Sequence, residues 1–94
     1  MKIVWTRRAV LNLHHVREYI RRDNPAAAAK VGARIETVAQ VLARHPESGR
    51  IGEVAGTREL ILAGLPYLIV YRLEGGTVQI LRVLHDKQKW PTSF

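Results

Sequence analysis

The chain ends its last apolar run with "RVLHDKQKWP", Arg82 to Pro91, and this stretch holds the residues best suited to chemistry. A histidine that closes a strand can take or give a proton near neutral pH, so His85 is the candidate acid or base. Arg58, Arg82 and Lys87 are the cations that could meet a phosphate beside it. With Lys89 and Trp90, the segment Arg82, His85 and Lys87 also reads as a basic surface for a macromolecular target. The plainer reading is structural: the histidine ends the strand, and Trp90 and Pro91 fold the tail onto the body, where the indole N–H finds an acceptor. No nucleophile or carboxylate stands at a spacing that would complete a triad with His85.

The remaining candidates are weaker. His14 and His15 are neighbours, so on a helix they diverge and cannot share a metal as residues four apart would. His45 precedes Pro46 where a helix must stop. The chain has no cysteine, which excludes disulfides, thiolate metal sites and thiol nucleophiles. "GEVAG" and "EGG" lack the glycine pattern leading into a helix that cradles nucleotide phosphates. No metal and no cofactor are expected.

Ninety-four residues make one domain, spanning 1–94, whose chemistry must sit on a single sheet or its loops. With 47% hydrophobic residues the chain should fold rather than stay disordered. "MKIVWTRRAV" has no signal-peptide core and no run approaches a membrane span, so a soluble, cytoplasmic protein is expected. Fifteen Lys and Arg against eight Asp and Glu give +7, which attracts nucleic acid or an acidic protein.

The elements that must position these residues follow from periodicity. "KIVW" reads as a short strand, and Thr6 can cap a helix whose Ala9, Leu13, Val16 and Ile20 share one face. Asn24 and Pro25 suit the cap and first position of a second helix, with Ala28, Val31, Ile35, Val38 and Leu42 inward until "RHPESG" stops it. "RIGEVAG" reads as an irregular surface loop. "TRELIL", "YLIVYRL" and "TVQILRVLH" then form three strands joined by "AGLP" and "EGG", connections short enough to require antiparallel pairing. The fold class is α+β: a β-α-α-β-β-β order with a helical hairpin packed on a mostly antiparallel four-stranded sheet.

A two-residue turn at Gly75 and Gly76 predicts Arg72 opposite Gln79, Val70 opposite Leu81 and Leu68 opposite Val83. A turn at Gly64 and Leu65 sets Leu60 beside Ile69 and Arg58 beside Tyr71. One face then carries Arg58, Leu60, Tyr67, Ile69, Tyr71, Ile80, Arg82 and Leu84. The other carries Glu59, Ile61, Leu68, Val70, Arg72, Leu81, Val83 and His85, and a slip of one residue would exchange them.

The ordered set "VWTRRAVLNLHHVREYI", "NPAAAAKV", "HPESGR", "GTREL", "PYLIVYRL" and "VQILRVLHDKQKWP", roughly Ile3 to Pro91, resembles the RelE/ParE superfamily of type II toxin–antitoxin toxins. That resemblance implies a small basic growth inhibitor, involved in plasmid stabilisation, that a cognate antitoxin neutralises. RelE-like members are ribosome-dependent mRNA endonucleases (mRNA interferases), whereas ParE-like members inhibit DNA gyrase without a catalytic set. In RelE-like nucleases an arginine commonly lies three residues before the tyrosine that Tyr71 matches, and Leu68 stands there instead. Glu59 and Ile61 lie where some nucleases carry lysines. His85 matches a histidine found in both branches. The missing cation favours the ParE-like branch, a non-enzymatic gyrase inhibitor, with the ribosome and mRNA as the alternative target and His85, Arg58, Arg82 and Lys87 as the catalytic set only in that case. The apolar sheet face, Ile61, Leu68, Val70, Leu81 and Val83, is then expected to receive an acidic antitoxin segment.

Overall fold

The computed structural model describes residues 1–88, 90 and 91. Its elements are β1 (Lys2–Trp5), α1 (Arg7–Arg21), α2 (Pro25–Val41), β2 (Arg50–Ile51), β3 (Arg58–Ile61), β4 (Tyr67–Glu74) and β5 (Thr77–His85). The strands lie in the order β1-β5-β4-β3-β2. β1 runs parallel to β5, and the remaining pairs are antiparallel. The parallel pair needs a crossover, and the helical hairpin begins it. The α+β architecture therefore matches the expected one, with a fifth strand added. "RIGEVAG" is not wholly irregular: Arg50 pairs with Glu59 and Ile51 with Arg58, an ion pair joins the Arg50 and Glu59 side chains, and Gly52 N–H donates to Thr57 O at 2.9 Å. Two residues are too few for a period-two pattern to show in sequence.

Both helices begin where their caps are. Thr6 Oγ1 accepts from Ala9 N–H at 3.2 Å, and the same hydroxyl donates to Ile80 O at 2.8 Å, which fixes the start of α1 against β5. Asn24 Oδ1 accepts from Ala27 N–H at 3.0 Å, and Pro25 occupies the first turn of α2. The buried face of α2 is Ala28, Gly32, Ile35 and Ala39, small enough for α1 to approach closely. A Cβ on Gly32 would stand 2.2 Å from Arg17 Nε, because Arg17 lies across α2 to pair with Glu36.

The main core lies between this hairpin and one face of the sheet, with Ala9, Leu13, Val16, Ile35, Ala39 and Leu42 packed on Tyr67, Ile69, Tyr71, Val78, Ile80 and Val83. A second cluster, Leu68, Val70, Leu81 and Leu84, lies on the opposite face, and Trp90 packs against it. Trp90 thus packs back onto the sheet as the sequence suggests. The Gly75–Gly76 turn forms with both φ positive, at 56° and 75°, and Arg72 pairs with Gln79 as expected. Leu60 opposite Ile69 and Arg58 opposite Tyr71 are also as expected.

The register of β5 changes beyond Ile80. Tyr71 still faces Ile80, but Val70 faces Arg82, Ile69 faces Val83, Leu68 faces Leu84 and Tyr67 faces His85, with the irregularity between Val70 and Tyr71. Leu81 is the extra residue of a β-bulge. Val83 and His85 consequently move to the helix-covered face, while Arg82 and Leu84 move to the other. The expected groupings of Arg82 and Leu84 with Ile69, and of Val83 and His85 with Val70, are both overturned. The physical reason is visible in the alternation: without the bulge, Arg82 would project between Ile80 and Leu84 into the helix-packed core, and a buried unpaired charge is costly.

Candidate functional site

The bulge and the end of β1 together build the surroundings of His85. β1 accompanies β5 only as far as Trp5 opposite Ile80, and α1 lies alongside the rest. There Asn12 Oδ1 accepts from Val83 N–H at 3.1 Å, so a helix side chain takes over as acceptor where β1 has ended. The next turns of α1 carry His15 and Tyr19 toward the end of β5. Asn12, His15, Val16, Tyr19, Tyr67, Val83, His85 and Gln88 line a cleft of about 360 Å³.

Within it the His85 ring meets Tyr67 edge-on, with centroids 5.4 Å apart and an interplanar angle of 85°. A tight turn holds the backbone: His85 N–H donates to Gln88 Oε1 at 2.6 Å, Gln88 N–H to His85 O at 2.9 Å, and Asp86 N–H to Pro66 O at 2.7 Å. His85 Nδ1 lies 3.2 Å from Lys87 N and 3.0 Å from Asp86 Oδ1. These are alternatives for one nitrogen: with its proton on Nε2 the ring accepts from the Lys87 amide at Nδ1, and with a proton on Nδ1 it donates to the Asp86 carboxylate.

The expected site residues are not gathered at this cleft. Arg58 donates to Gly49 O at 2.8 Å and sits opposite Tyr71, four residues along β4 from the partner of His85. That is about 13 Å of strand. Arg82 opposes Val70 on the face away from the helices. Lys87 is exposed on the turn beside His85, and Trp90 covers the outer cluster. Lys89 lies outside the described residues. Among the residues nominated for the antitoxin, Val70 is fully buried, Leu68, Leu81 and Val83 nearly so, and Ile61 is exposed. The expected open apolar face is closed by the chain's own Trp90. A Cβ on Gly52 would come within 3.0 Å of Trp90 Cη2, so the segment after β2 packs there as well.

Asn12 and Tyr19 are cleft residues that sequence reasoning passed over, while His15 was weighed only as a metal ligand and Tyr67 only as a member of a sheet face. The four-residue step from His15 to Tyr19 was a legible helical pair. What it faced depended on the bulge. Among the described residues no group of three or more His, Cys, Asp or Glu could hold a metal ion, and no helix is long and apolar enough to cross a membrane.

Two tyrosines couple this region to pH. Burial holds the Tyr67 hydroxyl above its usual value near 10, and neighbouring Tyr19 adds to the shift. Burial raises Tyr71 too, outweighing the hydrogen bond from Gly49 and the charge of Arg58, which act in the opposite direction. The folded chain therefore keeps these protons more tightly than the unfolded chain. Their stabilising effect is complete below the unfolded value and is lost as pH rises through it toward the folded values. The urea midpoint should fall between about pH 9 and pH 11, with a shallower fall in Tyr71→Phe. An equal slope in the variant would remove Tyr71 from the explanation.

Comparison with known proteins places this geometry in a family. The sequence profile described as the ParE toxin of type II toxin–antitoxin systems, parDE, matches residues 3–90. The chain belongs to the ParE toxin family. The match to this family runs from β1 to Trp90, so it includes the bulged strand, the cleft and the residue that closes the outer face. The toxin candidate Y4kP of Sinorhizobium fredii is 49% identical over 90 residues, covering 96% of this chain and 93% of its own. Toxin RelE2 of Caulobacter vibrioides is 40% identical over 84 residues, covering 89% and 93%. A solved structure of the chromosomal ParDE toxin–antitoxin system from P. aeruginosa superposes with a TM-score of 0.84 at 30% identity, covering 90% of this chain and 95% of that one. As a ParE-family toxin of a type II system, the chain has a cognate antitoxin as its partner.

Proposed function

We propose that this toxin inhibits growth by binding and inhibiting DNA gyrase, without catalysing a reaction of its own. The observation that carries the reading is the composition of the His85 cleft, whose lining among the described residues contains no arginine or lysine. Strand cleavage by a ribose hydroxyl develops charge on a phosphate, and a nuclease needs cations fixed where that charge appears. Arg58 is held by Gly49 O opposite Tyr71, four residues along β4 from the partner of His85, and Arg82 points to the opposite face. Among the described residues, Lys87 is the cation beside His85 in the chain, exposed on a turn.

On this reading the end of β5 is a binding surface. Lys87 presents charge, His85 and the Asp86 turn shape the end of the sheet, and Arg82 and Trp90 continue the surface around its outer side. The antitoxin would lie along the free edge formed by β2 and β3, where Ile51 and Ile61 are exposed at 73% and 54%. An added strand or amphipathic helix with acidic side chains would complement the net charge of +7.

The test is a supercoiling assay with purified gyrase and purified toxin, run beside translation with intact transcripts. Inhibited supercoiling that persists in His85→Ala, with transcripts uncut, is the expected result. Cleaved transcripts, with toxicity abolished by His85→Ala, would replace this reading with ribosome-dependent mRNA cleavage.

A further inference from the structure

The bulge that removes Arg82 from the core sets it among other arginines. Arg72 on β4 and Arg82 on β5 both project from the face away from the helices, Arg72 in the row of Val70 and Arg82 opposite Val70 itself. Thr6 binds Ile80 O and reaches Leu81 O at 3.3 Å, so the first turn of α1, with Arg7 and Arg8, begins beside the bulge. Arg8 lies near Arg82, and with Arg72 in the row of Val70 and Arg7 beside Arg8 in the chain, the arginine positions run from β4 across β5 to the start of α1.

Several features of this row are unfavourable for the protein alone. Arg7 and Arg8 occupy the positive end of a 15-residue helix whose first turn contains no acid. Arg8 and Arg82 are close enough that repulsion, after burial, depresses the Arg82 guanidinium from its usual range. Arg72 Nε is buried without a hydrogen-bond partner among the described residues, and the Glu74 carboxylate beside it lies 3.9 Å away and is largely exposed. An anion laid along these positions would offset the repulsion between Arg8 and Arg82 and the uncompensated first turn of α1.

The class of anion follows from what surrounds the row. Protein interfaces commonly have an apolar centre within a polar rim. Here the apolar residues between and beside the arginines, Val70, Leu81 and Leu84, are 0 to 5% exposed. Single-stranded nucleic acid is gripped by stacking its bases on aromatic rings, and the ring on this face, Trp90, is packed onto Leu68, Val70, Leu81 and Leu84. What remains among the described residues is a polar, cationic track without an apolar centre or a stacking platform, which suits a duplex backbone.

We propose that Arg7, Arg8, Arg72 and Arg82 form a track for the phosphate backbone of double-stranded DNA. This surface is separate from the His85 cleft and stands whether or not gyrase is the protein target.

The test uses the full purified chain and a fluorescein-labelled duplex of about 20 base pairs, read by anisotropy from about 50 to about 200 mM salt. The expected result is salt-dependent binding that weakens at least about tenfold in the triple variant Arg7→Gln, Arg8→Gln, Arg72→Gln. The slope of log affinity against log salt should shrink by about one for each phosphate that the variant no longer neutralises. A control triple variant, Arg22→Gln, Lys30→Gln, Arg44→Gln, removes the same charge from other exposed positions and should bind nearly as the parent. Equal losses in the two variants would show only the attraction of net charge and overturn the track. Tighter binding to single-stranded RNA, or to polyglutamate at matched charge concentration, would overturn the duplex assignment in favour of RNA or an acidic protein. Circular dichroism of both variants must match the parent, and single arginine variants replace the triple if it does not.

Discussion

Tyr71→Ala is expected to leave the chain largely unfolded at physiological temperature. Tyr71 is fully buried in the main core, opposite Arg58 on β3 and Ile80 on β5. Removing a buried aromatic ring costs about 3 to 5 kcal/mol through lost transfer energy and the cavity left behind. The hydroxyl adds to this, since it accepts from Gly49 N–H at 2.8 Å and donates to Pro46 O at 2.7 Å. Those bonds fasten the end of the α2 connection to the centre of the sheet. Leaving such groups buried without partners costs about 1 to 3 kcal/mol each. Against a total stability of about 5 to 15 kcal/mol for a small domain, the sum removes most of the margin.

Tyr71→Phe separates the contributions. It keeps the ring and leaves Gly49 N–H and Pro46 O unpaired, so a loss of about 1 to 3 kcal/mol is expected from urea titration followed by circular dichroism. Gly49 is constrained by the same tyrosine, because a Cβ there would lie 2.7 Å from Tyr71 Oη and 2.8 Å from Glu59 O. Parent-like stability in Tyr71→Phe would mean that water replaces the hydroxyl and that the ring alone fixes this region.

The second large effect belongs to Trp90→Ala, with an expected loss of about 3 kcal/mol, at the lower end for a truncated aromatic because the indole is only half-buried. The variant also uncovers Leu68, Val70, Leu81 and Leu84, a contiguous aliphatic patch of the kind that promotes self-association. Binding of a hydrophobic dye at native-like secondary structure should increase, and Trp90→Phe should reverse most of the change. A Trp90→Ala chain that stays dark to the dye at parent stability would show that Trp90 is not what seals this face. Trp90→Phe also separates roles that the sequence leaves superposed on one residue. If gyrase inhibition falls in Trp90→Phe while stability holds, the indole meets the target as well as closing the sheet.

Much of this architecture was legible in the residues themselves. Thr6 and Asn24 announced their caps, and the steps of three and four from Ala9 to Ile20 and from Ala28 to Leu42 defined two helices, because local backbone groups must be satisfied locally. Gly75 and Gly76 fixed the β4–β5 hairpin, since a two-residue turn of this type requires positive φ at both positions. The ordered motifs also carried the family. β2 escaped notice because its two residues owe their strand character to Glu59 and Arg58 across the pair.

The identity of the site was decided elsewhere. Sequence alone established which side chains were available near the end of β5: one histidine, several cations and a tryptophan. It could not establish which face each would occupy, since one inserted residue reverses every later side chain. The bulge at Leu81 did that, driven by the cost of burying Arg82 under the helices and completed by Asn12 from a helix 71 positions away in the chain. Tertiary structure thereby placed His85 with Tyr67 in a cleft lined, among the described residues, without arginine or lysine, and Arg82 with Arg8 on the opposite side. Local preferences determine where elements begin and end, but the choice of face is a competition between packed layers, which only the assembled chain can resolve.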